Sequence, residues 1–173
     1  MRSVYMDYYN QLNQIEGNAQ RYVPVYRKYD ADRRLEPVVQ NYFEQYLGQF
    51  LAQVFDKINE NFIRCSFYEL VSRYLSSCYT FAIEQNNSAG RSDFEMAGIP
   101  GTDYYTDDRV VEFKYYRGKD AERMLSLSEP LPEHVEQVKG YAEDTKRKFP
   151  NYNVRTYVVY ICSNKGWKCW EVY

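Results

Sequence analysis

Between residues 35 and 55, apolar side chains recur at intervals of three and four residues, and polar residues fill the positions between them. Such a period places one apolar stripe along an α-helix. Pro37 suits the first helical turn, where its missing N–H group leaves no hydrogen bond unmade. We therefore predict one amphipathic helix over 35–55. Residues 1–34 have no clean period, and we interpret them as an N-terminal extension of a domain that spans 35–173.

A second helix is predicted before the first strand. Residues 66–69 have the form of a capping box, because a serine is followed three positions later by a glutamate. Apolar residues then continue at helical spacing to Leu75. The pattern predicts a helix that begins at Ser66 and ends near Cys78.

Short runs rich in aromatic and β-branched residues follow, and turn residues separate them. Residues 86–90 have turn chemistry, and a loop rich in Gly, Pro and Asp spans 98–108. The predicted strands cover 79–84, 92–97 and 109–116.

After a charged connection at 117–131, a third helix is predicted to begin at Pro132 and to end before Pro150. Two further strands are predicted over 154–161 and 167–173. The order of two helices, three strands, one helix and two strands is typical of an α/β domain. We expect a mixed sheet of about five strands that is flanked by helices.

The composition is that of one globular domain. The chain has 173 residues, of which 45% are hydrophobic and 27% are charged. Twenty residues are Tyr; we expect most of these to pack in the core, although an exposed Tyr can also stack on a nucleic-acid base. The net charge of −2 is not that of a plainly basic nucleic-acid binder, but a nuclease needs only a local basic surface.

The four cysteines form no C-x-x-C pair, and the single histidine, His134, completes no zinc set with them. We interpret them as reduced thiols of a cytoplasmic protein. No run approaches the ~18 apolar residues of a membrane span, and no charged-then-apolar leader opens the chain, so we expect no membrane association. His134 is expected to be a solvated residue near a helix start.

The strand over 109–116 carries the strongest candidate chemistry. Side chains alternate along a strand, so Glu112 and Lys114 share one face. A hairpin through the 98–108 loop would bring Asp93, on the preceding strand, beside Glu112. Two carboxylates so placed make a small oxygen site for a hard cation such as Mg²⁺. Taken alone, however, the Glu112–Lys114 pair fits an ordinary surface ion pair better.

Three segments, taken in order, resemble the PD-(D/E)XK nuclease superfamily. They are Gly90-Arg91-Ser92-Asp93 on one strand, Glu112-Phe113-Lys114 on the next, and Gln137 with Tyr141 on the following helix. The nearest likeness is a bacterial branch that often forms a nuclease-like domain behind AAA-type ATPase modules, and it covers about residues 66–162. The chain has no Gly-x-x-x-x-Gly-Lys-Ser/Thr loop, so any such ATPase would be another protein or a missing part of a longer one.

The resemblance implies a restriction-endonuclease-like core and a role for each matching strand residue. Asp93 and Glu112 would be metal ligands together with the backbone carbonyl of Phe113. Mg²⁺ or Mn²⁺ would be the cofactor. Lys114 would be the catalytic lysine that steadies the attacking water or the charge on the phosphate.

The resemblance also implies helical site residues. Gln137 and Tyr141, one turn apart, would reach over the site to orient water or phosphate. Some members use a glutamate on the helix before the first strand as well. Glu69 is the candidate for that role, although the capping box already accounts for it.

The sequence therefore predicts metal-dependent hydrolysis of DNA phosphodiester bonds. The alternative is a catalytically silent nuclease-like module that binds nucleic acid or a partner protein. Basic residues near the motifs are candidates for contacts with the nucleic-acid backbone. They are Arg91, Arg117, Lys119, Arg123 and Lys139.

Overall fold

The computed structural model describes residues 16–87 and 90–172, and the side chains of 21–83 and 93–172. One five-stranded sheet lies at its centre, with helices on both faces. The predicted α/β architecture with a mixed, helix-flanked sheet is confirmed.

The five strands follow one another across the sheet in chain order. The β3–β4 pair is parallel, and the other three pairs are antiparallel. All five predicted strands are present, each within a few residues of its expected bounds. They are β1 (Tyr79–Asn87), β2 (Gly90–Gly98), β3 (Asp107–Tyr116), β4 (Asn153–Cys162) and β5 (Gly166–Val172).

Five α-helices pack around this sheet in the described part of the chain. The last of them begins at Pro132 and ends before Pro150, as the sequence predicts. They are α1 (Glu16–Asp32), α2 (Glu36–Asn41), α3 (Glu60–Leu75), α4 (Gly118–Leu125) and α5 (Pro132–Lys148).

The prediction of one continuous helix over 35–55 is wrong. After α2 the chain passes through a π-helical turn at Tyr42–Tyr46 and a 3-10 turn at Leu47–Gln49, and then becomes extended. Because Phe50 and Leu51 are extended, the helical spacing of the apolar positions no longer holds there, and Leu51 is 68% exposed. Tertiary packing decides this break, because buried Tyr42 places its hydroxyl 2.6 Å from Ser66 Oγ on α3.

The predicted start of α3 at Ser66 is also wrong, because the helix begins at Glu60. The side chain of Asn59 caps it by accepting a 3.0 Å hydrogen bond from the Phe62 N–H group. Ser66 lies inside the helix and donates to the Phe62 carbonyl at 2.7 Å. A capping box at 66–69 therefore does not form.

Two helices occur where the sequence pattern predicts none. In α1 the helical period is carried by buried tyrosines, Tyr22, Tyr26 and Tyr29. The charged connection at 117–131 contains α4, which buries Ala121 and Met124 against the sheet.

Two apolar clusters cover the two faces of the sheet. One joins α1, α2 and α3 to the face that contains Val111 and Phe113. The other joins α4 and α5 to the face that contains Val110. Because side chains alternate along β3, Glu112 belongs to the α5 face.

Candidate functional site

The strands β2 and β3 separate at the centre of the sheet, and two acidic residues lie where they part. Their pairing ends at Phe94 opposite Val111. Asp93 precedes Phe94, and Glu112 follows Val111, so the two acids lie across from each other just beyond the last paired residues. The β1–β2 pairing continues past this point, which leaves a fork between β2 and β3.

Asp93 is held from two sides. Its side chain is nearly buried, and Oδ2 accepts a 2.9 Å hydrogen bond from the backbone N–H of Phe113. Its Oδ1 forms an ion pair with Arg64 of α3. The carboxylate thus takes the place of a strand partner at the fork, and its orientation is fixed.

Glu112 is fully buried, and its two oxygens have different surroundings. Oε1 accepts a 2.5 Å hydrogen bond from Lys114 Nζ. Oε2 is buried and has no hydrogen-bond partner among the described residues. A buried carboxylate oxygen without a partner is costly unless a proton or a cation satisfies it.

The surroundings of Glu112 also change its protonation. Burial raises the pKa of Glu112, and the neighbouring Asp93 charge raises it further. The hydrogen bond and charge of Lys114 lower it, and the net result is a pKa of about 7. The two acids therefore repel each other in a poorly solvated place that favours a bound cation.

Lys114 lies between two carboxylates. Its Nζ atom is 2.5 Å from Glu112 Oε1 and 3.9 Å from Glu60 Oε1. Burial by itself would lower the pKa of Lys114, but the hydrogen bond to Glu112 and the charges of Glu112, Glu60 and Asp93 outweigh it, so the pKa is raised. Lys114 is therefore a cation at neutral pH rather than a general base.

Glu60 is a site residue that the sequence interpretation missed. It is the first residue of α3, and burial raises its pKa despite the nearby Lys114 charge. The candidate named instead, Glu69, is exposed and forms an ion pair with Arg73 on its own helix. The cap at Asn59 is the signal that locates Glu60, because a helix start there puts a glutamate at the first turn.

Gln137 and Tyr141 bond to each other. The Gln137 side-chain amide donates a 2.8 Å hydrogen bond to the Tyr141 hydroxyl, and Tyr141 is buried in the cluster on the α5 face. Among the described residues, neither side chain hydrogen-bonds to Asp93 or Glu112. Their action on a bound substrate stays a prediction.

His134 is not the solvated residue expected from the sequence. It is half-buried at the first turn of α5, with Nδ1 2.6 Å from the Tyr160 hydroxyl. That hydroxyl also accepts a 2.9 Å hydrogen bond from the Leu131 N–H group. Burial lowers the pKa of His134, and the charge of Lys114 lowers it further.

The predicted basic contacts are dispersed. Arg117 donates to the backbone carbonyl of Asp56, and Arg123 is exposed on α4, as is Lys119. Lys139 lines a cleft between α5, β4 and β5. The side chain of Arg91 lies outside the described residues.

The donor atoms at the fork fit a hard divalent cation. Asp93 and Glu112 supply carboxylate oxygens, and the carbonyl of Phe113, the residue after Glu112 on β3, is a further oxygen. In the described ranges, no three His, Cys, Asp or Glu side chains form a metal-binding group. Mg²⁺ commonly binds through one or two carboxylates and keeps several waters, so two acids are sufficient.

No helix within the described residues is long and apolar enough to cross a membrane.

Comparison with known proteins identifies the family of the chain. The family model of the PD-(D/E)XK nuclease superfamily matches residues 58–171, a range that includes Glu60, Asp93, Glu112 and Lys114. Neither the curated proteins nor the solved structures contain a match to the chain. The matched range covers well over half of the chain and the whole sheet, and it confirms the restriction-endonuclease-like core. The chain belongs to the PD-(D/E)XK nuclease superfamily.

Proposed function

We propose that this protein is a metal-dependent nuclease that hydrolyses DNA phosphodiester bonds. Asp93 and Glu112 would hold Mg²⁺ or Mn²⁺, and the Phe113 carbonyl would complete the protein ligands. The observation that carries the proposal is the buried, unpaired Oε2 atom of Glu112 opposite Asp93 at the fork. A cation at this place would satisfy that oxygen and relieve the repulsion between the two carboxylates.

Each group has a defined part in the proposed reaction. A metal ion held by Asp93 and Glu112 would supply Lewis-acid stabilisation of the phosphate and would lower the pKa of a water bound to it. Asp93 keeps its orientation through the Phe113 N–H group and Arg64. Lys114, which stays protonated, stabilises the negative charge that grows on the phosphate oxygens in the transition state.

Glu60 would position Lys114 rather than bind the substrate. Its carboxylate lies 3.9 Å from Lys114 Nζ, and Glu112 is the other acidic partner of that atom among the described residues. Two carboxylates thus attract the lysine before substrate binds, which lowers the conformational entropy that it loses on binding. This geometry supports a site that is organised before DNA arrives.

A catalytically silent module is the second candidate, and one observation favours it. Arg64 is mostly buried and already pairs with Asp93, while Lys114 pairs with Glu112. Both acids can therefore be neutralised by the chain itself. Such a protein would bind nucleic acid or a partner protein without cutting it.

Cleavage assays decide between the two. The purified chain is incubated with supercoiled, linear and single-stranded DNA and with RNA, in Mg²⁺, Mn²⁺ or EDTA. We expect DNA cleavage that needs the metal, is lost in Asp93→Asn and is kept in Asp103→Asn, an exposed acid on the 98–108 loop. Absence of cleavage of every substrate, or cleavage unaffected by Asp93→Asn, would show that the proposal is wrong. An ATPase partner stays a separate prediction.

A further inference from the structure

Three aromatic rings form an exposed platform at the end of the sheet where β3 and β4 begin. The Phe149 and Tyr152 rings stack with their centroids 4.7 Å apart and 19° between their planes. Tyr105 meets Tyr152 edge-on at 5.8 Å. We call Tyr105, Phe149 and Tyr152 the aromatic platform.

The platform leaves apolar surface in water. Among the described side chains, only four large hydrophobic residues are exposed, and two of them are Tyr105 at 46% and Phe149 at 48%. The rings already hold each other in place, so a further ring can stack on them at little cost in conformational entropy. The aromatic platform can therefore stack against a flat, aromatic ligand.

Two lysines that form no ion pair with the described residues line a cleft next to the platform. The cleft, of about 660 Å³, lies between α5, β4 and β5, and its lining includes Lys139, Lys146 and Asn153, the residue directly after Tyr152. This cleft and the last turn of α5 carry five basic side chains against three acidic ones. The basic residues are Lys139, Lys146, Arg147, Lys148 and Arg155, and the acidic ones are Glu143, Asp144 and Glu171. Arg147 and Lys148 pair with Asp144, and Arg155 pairs with Glu171, so the charges of Lys139 and Lys146 are the ones left for a ligand.

The platform is separate from the acidic fork. Asn153 pairs with Asp107 at the start of β3, and Glu112 lies five residues further along that strand. At about 3.3 Å per residue, the two places are roughly 17 Å apart. Binding at the platform can therefore be measured without any reaction at the fork.

We propose that the aromatic platform and the adjoining basic cleft bind single-stranded nucleic acid, with bases stacked on Tyr105 and Phe149 and phosphates beside Lys146. Bases stack on aromatic side chains only when they are not already stacked within a duplex, so the geometry favours a single strand. This proposal rests on the proposed function only because that function makes nucleic acid the partner. The substrate would then carry a single-stranded segment that reaches from the cleaved bond to the platform.

Fluorescence anisotropy with labelled oligothymidine of about 20 nucleotides tests the proposal, since known sites span 4–16 nucleotides. EDTA is present, so binding is read whether or not the protein cleaves DNA. Tyr105→Ser and Phe149→Ser should each weaken binding about tenfold. Tyr68→Ser, which alters an exposed ring on α3, is the matched control and should have no effect.

The charged contact has its own control. Lys146→Gln should reduce the dependence of log affinity on log salt by about 0.7, whereas Lys28→Gln on α1 should leave it unchanged. A duplex of the same sequence should bind more weakly and be insensitive to Phe149→Ser.

Three results would overturn the proposal. The first is no binding of the oligonucleotide, and the second is an equal loss in Tyr68→Ser and Phe149→Ser. The third is self-association in sedimentation that Phe149→Ser abolishes while oligonucleotide binding is unchanged, which would identify a protein–protein surface. Because binding is measured in EDTA and cleavage in a separate assay, a protein that cleaves no DNA can still pass or fail this binding test.

Discussion

The backbone N–H of Phe113 donates a 2.9 Å hydrogen bond to the Asp93 carboxylate. This bond joins β2 to β3 where regular strand pairing has ended. It fixes the first acid relative to the strand that carries Glu112 and Lys114. The fork is thus closed by a side chain, which leaves the Glu112 carboxylate facing Asp93 in a buried place.

Replacing Lys114 should separate charge stabilisation from metal binding. Lys114→Met keeps much of the side-chain volume and removes the cation, so we expect cleavage to fall by about 10²–10³-fold. The increase in melting temperature caused by Mn²⁺ should remain, because both acids are retained. Lys119→Met, on exposed α4 surface, is the control. Unchanged cleavage in Lys114→Met would remove the lysine from the mechanism.

Arg64 and a metal ion would compete for Asp93. Arg64→Gln breaks a mostly buried ion pair, so the metal-free protein should lose about 3 kcal/mol of unfolding free energy. Mn²⁺ should stabilise this variant more than the natural protein, because the buried charge on Asp93 then has no competing cation. Thermal unfolding with and without Mn²⁺ measures both effects. An equal or smaller Mn²⁺ effect in Arg64→Gln would contradict the competition.

Asp108 should make stability depend on pH. Burial raises its pKa, and nearby Glu95 adds to this, giving a value of about 7 against 3.8 for the unfolded chain. The folded state therefore prefers the neutral acid, and stability falls as the pH rises from about 4 through 7. Asp108→Asn should remove the part of this decline that Asp108 causes, while the part caused by Glu112 remains. It should raise the unfolding free energy at pH 8 by about 2–4 kcal/mol. Urea unfolding of both proteins at pH 5 and pH 8 measures the effect. If Asp108→Asn is no more stable than the natural protein at pH 8, the prediction is wrong.

The packing of α1 can be tested at Tyr26. Its ring is buried and stacks on Tyr74 of α3, with centroids 4.4 Å apart. Tyr26→Ala should cost about 3–5 kcal/mol of unfolding free energy, because a large cavity remains. Arg27→Ala, at an exposed neighbouring position, should cost little. A loss below about 1 kcal/mol in Tyr26→Ala would mean that α1 is not part of the cooperative core.

The strands and the pairing of Asp93 with Glu112 could be predicted because they depend on local patterns. Alternation along β3 fixes the face of Glu112 and Lys114, and a short hairpin leaves few places for the preceding strand. These features need no knowledge of distant residues.

The helices before the sheet were harder to predict because tertiary contacts determine them. Asn59 and Ser66 are both good helix caps by residue type. In the structure Asn59 caps the helix, and Ser66 lies inside it, where its hydroxyl contacts the buried Tyr42 hydroxyl. The wrong start then concealed Glu60. In α1 the apolar stripe consists of tyrosines, whose hydroxyl groups make the stripe look polar in sequence.

Isothermal titration calorimetry with Mn²⁺ tests the central claim most directly, because it measures the metal site without needing a substrate. We predict that the natural protein binds Mn²⁺, that Asp93→Asn and Glu112→Gln both lose this binding, and that Asp103→Asn retains it. Equal binding by the natural protein and Glu112→Gln, or no binding by the natural protein at neutral pH and above, would contradict a metal site between the two acids.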